Sequence, residues 1–414
     1  MKNIIIRNSN RFKSVFVQVN LLLPLRANET GKNALLAMVL KKNNSKFKTE
    51  RELERKLASL YNTSFGASVE KINDYYNISF GLEMLNIKHI GKTAVNEAID
   101  ILQTAICEPN IENGKFDDET FELEKQTLIE RIEEERDDKK RYALSSLERE
   151  MFKGTEYGAS ILGSIEDVQK ITNEELVEHY YKVINEAKLL VTVIGNLDDM
   201  EDVPERIFSK LSGKCGKHEA GISGNVEKEI VDKLEICIEE QDINQSVLCI
   251  GLRIKGAEKQ DLYKAMLYNT ILGGTPSSKL FQNVREKESL AYFAKSIYKR
   301  HKQVISMFAG IAPEKYEKTK TVMLEQLQMI KDGDVSDTEF YAAKENLIST
   351  YRELQDSKMG QTKSVISNLI YFDNEVSFDT MIAEIGKLTL ADVKELANKV
   401  VATNIFLLGG KANV

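Results

Sequence analysis

Hydrophobic and polar positions along this chain switch between two periods, and the order of the switches occurs twice. Apolar residues follow the two-residue period of strands over 13–24, 63–71 and 74–84, and again over 246–255, 290–299 and 303–310. Helical spacing covers 29–42, 49–60, 92–106 and one long run across 118–150. In the second half it covers 258–271, 277–287, 314–331 and 337–357. Asp118 and Ser336 stand as N-caps of the two long helices, each with acids in the first turn. The run "FDDETFELEKQTLIERIEEERDDKK" (116–140) parallels "VSDTEFYAAKENLISTYRELQDSKM" (335–359), with Phe121 and Phe340 offset by 219 residues. "ITNEELVEHYYKVI" (171–184) parallels "LTLADVKELANKVV" (388–401) at an offset of 217, and strands at 188–197 and 402–410 close the two copies. Such an offset is too long for a solenoid repeat and suits two whole domains. The pattern predicts an α+β protein of two homologous domains, 1–209 and 229–414, each a sheet covered by helices. A polar, glycine-rich linker over 210–228 joins them.

Composition narrows the function classes. Hydrophobic and charged fractions of 42% and 29% are those of an ordinary soluble globular chain. A net charge of -7 with no basic block excludes nucleic acid as a partner. "SVFVQVNLLLPL" (14–25) is too short to span a membrane, is interrupted by Gln18 and Asn20, and lacks a small-residue cleavage site; it reads as a buried strand. Cys107, Cys215, Cys237 and Cys249 show no CxxC spacing, and the last two lie in strand-like apolar runs as reduced core thiols. A cytoplasmic location and no membrane association follow as expectations.

Candidate chemistry concentrates in "ILGGTPSSKLFQNVREKESLAYFAKSIYKR" (271–300). Gly273 and Gly274 are placed to end one helix in the left-handed region. Pro276 suits the first turn of the next, capped by Thr275 or Ser277. Arg285 near that helix's end and Tyr292 early in the following strand are spaced to converge on one point. A guanidinium and a phenol there would offer donors to a peptide carbonyl or to an oxyanion. On spacing alone a plain arrangement is favoured, with Arg285 paired to a surface acid and Tyr292 filling core.

The same segment resembles the second-domain signature of the insulinase-like (M16) metallopeptidases: a glycine turn, "SS-x-LF", then "RE-K-x-x-L-A-Y". It is most similar to the short-chain bacterial and mitochondrial-processing-peptidase-like branch, and "YGASILGSIEDVQKITNEELVEHYYKV" (157–183) matches the part after that family's zinc-bearing long helix. The resemblance implies two homologous domains arranged as a clamshell. It also implies a first-domain zinc motif, HxxEH, with a third ligand on the later long helix. Here "KNALLAMVLKK" (32–42) falls at the motif, so Asn33, Leu36 and Ala37 occupy the positions of histidine, glutamate and histidine. Arg131, with Glu130 beside it, falls at the third ligand, where an arginine repels a cation. His89, His179, His218 and His301 are too scattered to rebuild the site.

The resemblance therefore implies no metal in this chain and zinc only in a homologous partner. The chain would be the non-catalytic, substrate-binding subunit of a heterodimeric zinc peptidase that processes or degrades peptides. Arg285 and Tyr292 would hold the substrate backbone, and Gly273 and Gly274 would lie in a loop beside it. Two other readings stay open: a structural subunit, and a stand-alone homodimeric peptide-binding protein without peptidase activity.

Overall fold

A computed structural model describes residues 3–215 and 234–409; most of the expected linker, including His218, lies outside them. The first half runs β1 (Ile4–Asn8), β2 (Ser14–Pro24), α1 (Thr30–Leu40), α2 (Glu50–Ser59), β3 (Ser64–Ile72), β4 (Tyr75–Leu85) and α3 (Ile87–Cys107). It continues through a small hairpin, β5 (Ile111–Glu112) and β6 (Lys115–Phe116), to α4 (Asp118–Asp137) and α5 (Lys139–Met151). Then come α6 (Ile165–Lys170), α7 (Asn173–Glu186), β7 (Lys188–Gly195) and α8 (Val203–Ser212). The second half runs β8 (Glu235–Glu240), β9 (Ser246–Ile254), α9 (Leu262–Asn269), β10 (Ala291–Lys299), β11 (Val304–Ile311), α10 (Tyr316–Asp332) and α11 (Asp337–Gln355). It ends with α12 (Lys358–Phe372), α13 (Phe378–Lys387), α14 (Leu390–Lys399) and β12 (Val400–Gly409).

The two copies build the same sheet. Strand orders are β1-β7-β2-β4-β3 and, read from the matching edge, β8-β12-β9-β11-β10. In each, the first strand pairs in parallel with the last, and the remaining pairs are antiparallel. One face of each sheet carries the apolar alternation. Val17, Val19 and Leu21 stand opposite Leu82, Phe80 and Ile78, all fully buried. In the second copy Leu248, Ile250, Leu252, Ile305 and Met307 join Leu327 and Leu396 in one core. Each such side chain contributes roughly 1.5–3 kcal/mol on burial.

Helices cover these sheets as expected, but not always those of their own half. One compact unit comprises 3–133, 159–215 and 357–367; the other comprises 134–158, 234–356 and 368–409. The halves 1–209 and 229–414 thus differ from the compact units by two exchanged segments. α5 packs on β9, β11 and β12 of the second sheet. There Met151 fills the space a side chain on Gly251 would take, the Tyr142 hydroxyl donates to Glu239 at 2.9 Å, and Lys299 pairs with Glu148. Reciprocally, Lys358 at the start of α12 bonds Ser14 and lies 2.6 Å from Glu83 in the first unit.

The single helix expected over 118–150 is two. Asp138 (φ -73, ψ 89) interrupts it and caps α5 by accepting from the Arg141 N–H at 3.0 Å. The cap of α4 is Asp117, which accepts from the Thr120 N–H at 2.9 Å, and not Asp118. Ser336 does cap α11, in a reciprocal capping box with Glu339.

Candidate functional site

Within the first unit, α1 is apolar nearly all round and buried on every side. Leu36 and Ala37 are 0% and 3% exposed, packed as core. Asn33, also buried, accepts at its Oδ1 from Nε2 of His179 on α7, 2.8 Å away, while its Nδ2 has no partner among the described residues. Burial pushes the His179 pKa down to about 4, so the imidazole is neutral and holds its proton toward Asn33.

Position 41 follows 33 and 37 at helical spacing, which puts all three on one helix face. The charges around Lys41 and Lys42 are cationic in balance. Glu124 on α4 is buried, and Lys42 lies 3.2 Å from it and 2.6 Å from Glu50. Burial disfavours the Lys42 charge, yet the bonds to Glu50 and Glu124 outweigh it and raise the pKa. Lys41 is shifted down, first by burial and then by Lys42 and Arg131, with Glu124 opposing. Arg131 itself is exposed, and Glu130 beside it accepts from Gln126.

These residues do not fit a zinc ion. Leucine and alanine offer no lone pair, the one amide oxygen is already bonded, and Glu124, the buried carboxylate nearby among the described residues, is paired with a lysine.

In the second unit the other constellation is built around a distorted helix pair. Thr270–Gly274 and Leu280–Lys287 are wide, π-type turns, and the Glu288 N–H reaches back five residues to the Asn283 carbonyl at 3.2 Å. The expected helix over 277–287 starts later, because Pro276 sits in a turn closed by Ser278 N–H on the Thr275 carbonyl. The Thr275 and Ser277 hydroxyls bond each other rather than capping.

Neither Gly273 nor Gly274 is left-handed, contrary to expectation. Gly273 is buried for a different reason: a Cβ there would stand 2.5 Å from the backbone nitrogen of Ser296 on β10. It is a packing contact, whereas Gly274 is exposed.

Arg285 lies in the last turn of the second wide helix. Its guanidinium stacks over Phe281 at 4.6 Å, with Nε 3.6 Å from Glu286. The chain then turns through Ser289 (φ 49), and the Leu290 N–H bonds the Val284 carbonyl at 2.9 Å.

Tyr292 follows at a break in the strand register. Ala291 pairs with Ile311 and Phe293 with Gly310, leaving Tyr292 as the extra residue of a bulge. It is 67% exposed, and its hydroxyl makes no hydrogen bond among the described residues, so it does not fill core. β10 is also the outer strand of its sheet. The arrangement offers a stacked cation and a displayed phenol on one short connection into the outer strand of the sheet. The bulge was invisible to the alternation of apolar residues; its one sequence trace is the pair Tyr292–Phe293, which breaks strict period two.

Residues 170–347 match the family described as Peptidase M16 inactive domain. A Bacillus subtilis protein described as probable inactive metalloprotease YmfF is 30% identical over 411 residues, covering 97% of this chain and 94% of that one. The chain belongs to the M16 peptidase family.

Its fold is similar to that of a conserved protein from Enterococcus faecalis V583, with a TM-score of 0.90, 25% identity and coverage of 99% and 97%. It is also similar to a peptidase M16 inactive domain from Pseudomonas fluorescens, with a TM-score of 0.81, 16% identity and coverage of 99% and 96%. The α+β architecture agrees with both structures. Among the described residues no helix is long and apolar enough to cross a membrane.

Proposed function

We propose that this M16 protein is the zinc-less, substrate-binding subunit of a cytoplasmic peptidase heterodimer. A homologous partner bearing HxxEH would supply the metal, and this chain would hold the peptide backbone with Arg285 and Tyr292. The observation that carries this reading is the contrast between two segments of one chain. The α1 face has become closed core, with Asn33, Leu36 and Ala37 unable to serve a metal, while Tyr292 is pushed outward by a bulge on an edge strand. An edge strand can accept an extended peptide through its backbone, and a phenol and guanidinium nearby add donors to the peptide's carbonyls.

Purified alone, the chain is expected to take up no stoichiometric zinc and to cleave no peptide. Mixed with an HxxEH-bearing homologue, it is expected to raise peptide cleavage. In that reconstituted enzyme, Arg285→Ala or Tyr292→Phe should lower kcat/KM by at least about tenfold. A complex that forms normally but is indifferent to both substitutions would point instead to a structural subunit. Binding of peptide by a homodimer, with no gain on adding the partner, would favour a stand-alone binding protein.

A further inference from the structure

Two of the four cysteines, 108 residues apart in sequence, meet in the first unit. The Sγ atoms of Cys107, at the end of α3, and Cys215, just beyond α8, are 3.9 Å apart. Their setting is asymmetric. Cys107 is partly exposed, whereas Cys215 is 1% exposed. The Cys215 thiol is placed to donate to Cys107 and stabilises a thiolate there. Burial works against that charge, and Lys214 favours it, so Cys107 is shifted below the ordinary thiol range. Cys215 is shifted strongly upward, by its hydrogen bond to Cys107 and then by burial, and stays protonated. Lys214 is itself held by Glu108 at 2.8 Å. Cys249 is wholly buried on β9 and Cys237 lies on β8, both in the other unit.

We propose that Cys107 and Cys215 form a hydroperoxide-reactive thiol pair, in which Cys107 is oxidised first and Cys215 converts the product to a disulfide. The Cys107 thiolate attacks one peroxide oxygen and the O–O bond breaks. A sulfenic acid forms on Cys107, and hydroxide, or an alkoxide from an organic peroxide, departs with the proton that Cys107 gave up. With the Cys107 thiolate consumed, the hydrogen bond that chiefly held the Cys215 proton is gone. Cys215 gives that proton to the sulfenic oxygen as its sulfur attacks the Cys107 sulfur and the S–O bond breaks. The sulfenic oxygen leaves as water, carrying the Cys215 proton. Two electrons pass from the two sulfurs to the peroxide, so no further oxidant is needed. Bonding requires the sulfurs to close by about 2 Å, within reach of small side-chain rotations. The bridge would staple the end of α8 to the end of α3.

The test treats the full chain with stoichiometric hydrogen peroxide and maps its peptides without reduction. A Cys107–Cys215 linked peptide lacking two hydrogens is expected, together with a rise in Tm that dithiothreitol reverses. In Cys215→Ser, dimedone should trap a sulfenic acid at Cys107, labelling it about tenfold faster than Cys237. In Cys107→Ser, Cys215 should stay unlabelled in the folded protein, with circular dichroism confirming the fold. Absence of the linked peptide, or equal labelling of Cys107 and Cys237, would overturn the proposal.

Discussion

The two units share a strand order, and each departs from the common plan in a different place. In the first unit, edge strand β3 pairs with β4 residue for residue, and α2 before it is a regular helix with a Thr49–Glu52 capping box. In the second unit, the helix before edge strand β10 is wide-turned and the strand bulges at Tyr292. The core shows the reverse. At the duplication offset, Glu124 of α4 corresponds to Ala343 of α11, and both are 2% exposed. Charge is buried in α4 of the first copy, and the second copy is apolar at the matching position of α11. Irregularity marks edge strand β10 in one copy, and buried polarity marks the contact of α1 with α4 in the other. Departures of both kinds collect at sites of function, present or former.

The largest effect should come from the buried charge. Lys42→Met leaves Glu124 without its ammonium, and the cost should be about 3–5 kcal/mol in urea unfolding. Lys42→Met with Glu124→Ala, which puts at 124 the alanine that α11 carries at 343, should recover most of it. If the single substitution is silent, the contrast between the α4 and α11 cores has no energetic content.

Next is His179. Its pKa in the fold, about 4, lies below the unfolded value of about 6.5, so the unfolded chain binds the proton first on acidification. Stability from this group is complete above about pH 6.5 and is lost as pH falls toward about 4. Wild type should lose roughly 2–3 kcal/mol more than His179→Gln between about pH 7 and about pH 4.5. Identical slopes in the two proteins would mean the imidazole is not buried neutral against Asn33.

The edge strands separate at their glycines. Gly273→Ala meets backbone that cannot yield, and should cost about 2–3 kcal/mol. Gly66→Ala on β3 meets nothing within 4 Å and should be near neutral. Equal midpoints would show that the wide-turned helix does not need its close approach to β10.

How much of this was legible follows the range of each interaction. Periodicity gave β2, β4, β9 and β11 because their apolar runs are long and buried over most of their length. It missed β1 and β8, which are short edge strands, and Ile236 and Ile238 on β8 are exposed. The long run over 118–150 hid its break at Asp138, since charged residues continue on both sides and a helical pattern does not say which sheet a helix will cover. The exchange of α5 and the start of α12 was therefore unreadable. So was the meeting of Cys107 and Cys215, which depends on α3 and α8 packing side by side. Motif spacing singled out Asn33, Leu36, Ala37, Arg285 and Tyr292 but not their surroundings, core for the first three and a bulge for Tyr292. What could not be named was why Gly273 is glycine, because a clash with Ser296 is a fact of tertiary structure.

The smallest prediction bears on the two long helices that first revealed the duplication. "FDDETF" holds two adjacent aspartates of identical chemistry, of which Asp118 is the expected cap. The structure separates them: Asp117 accepts from the Thr120 N–H, while Asp118 accepts from the Asn173 side chain at 2.9 Å. Asp117→Ala should then cost about 1 kcal/mol through the lost cap, matching Ser336→Ala on α11. Asp117→Ser should restore most of it, because a serine oxygen can still accept from that N–H. Asp118→Ser should gain nothing over Asp118→Ala, since the bond it breaks ties α4 to α7 rather than closing the helix end. If instead the rescue appears at 118, the first residue of α4 is misplaced by one. The alignment of the two copies by their caps would shift with it.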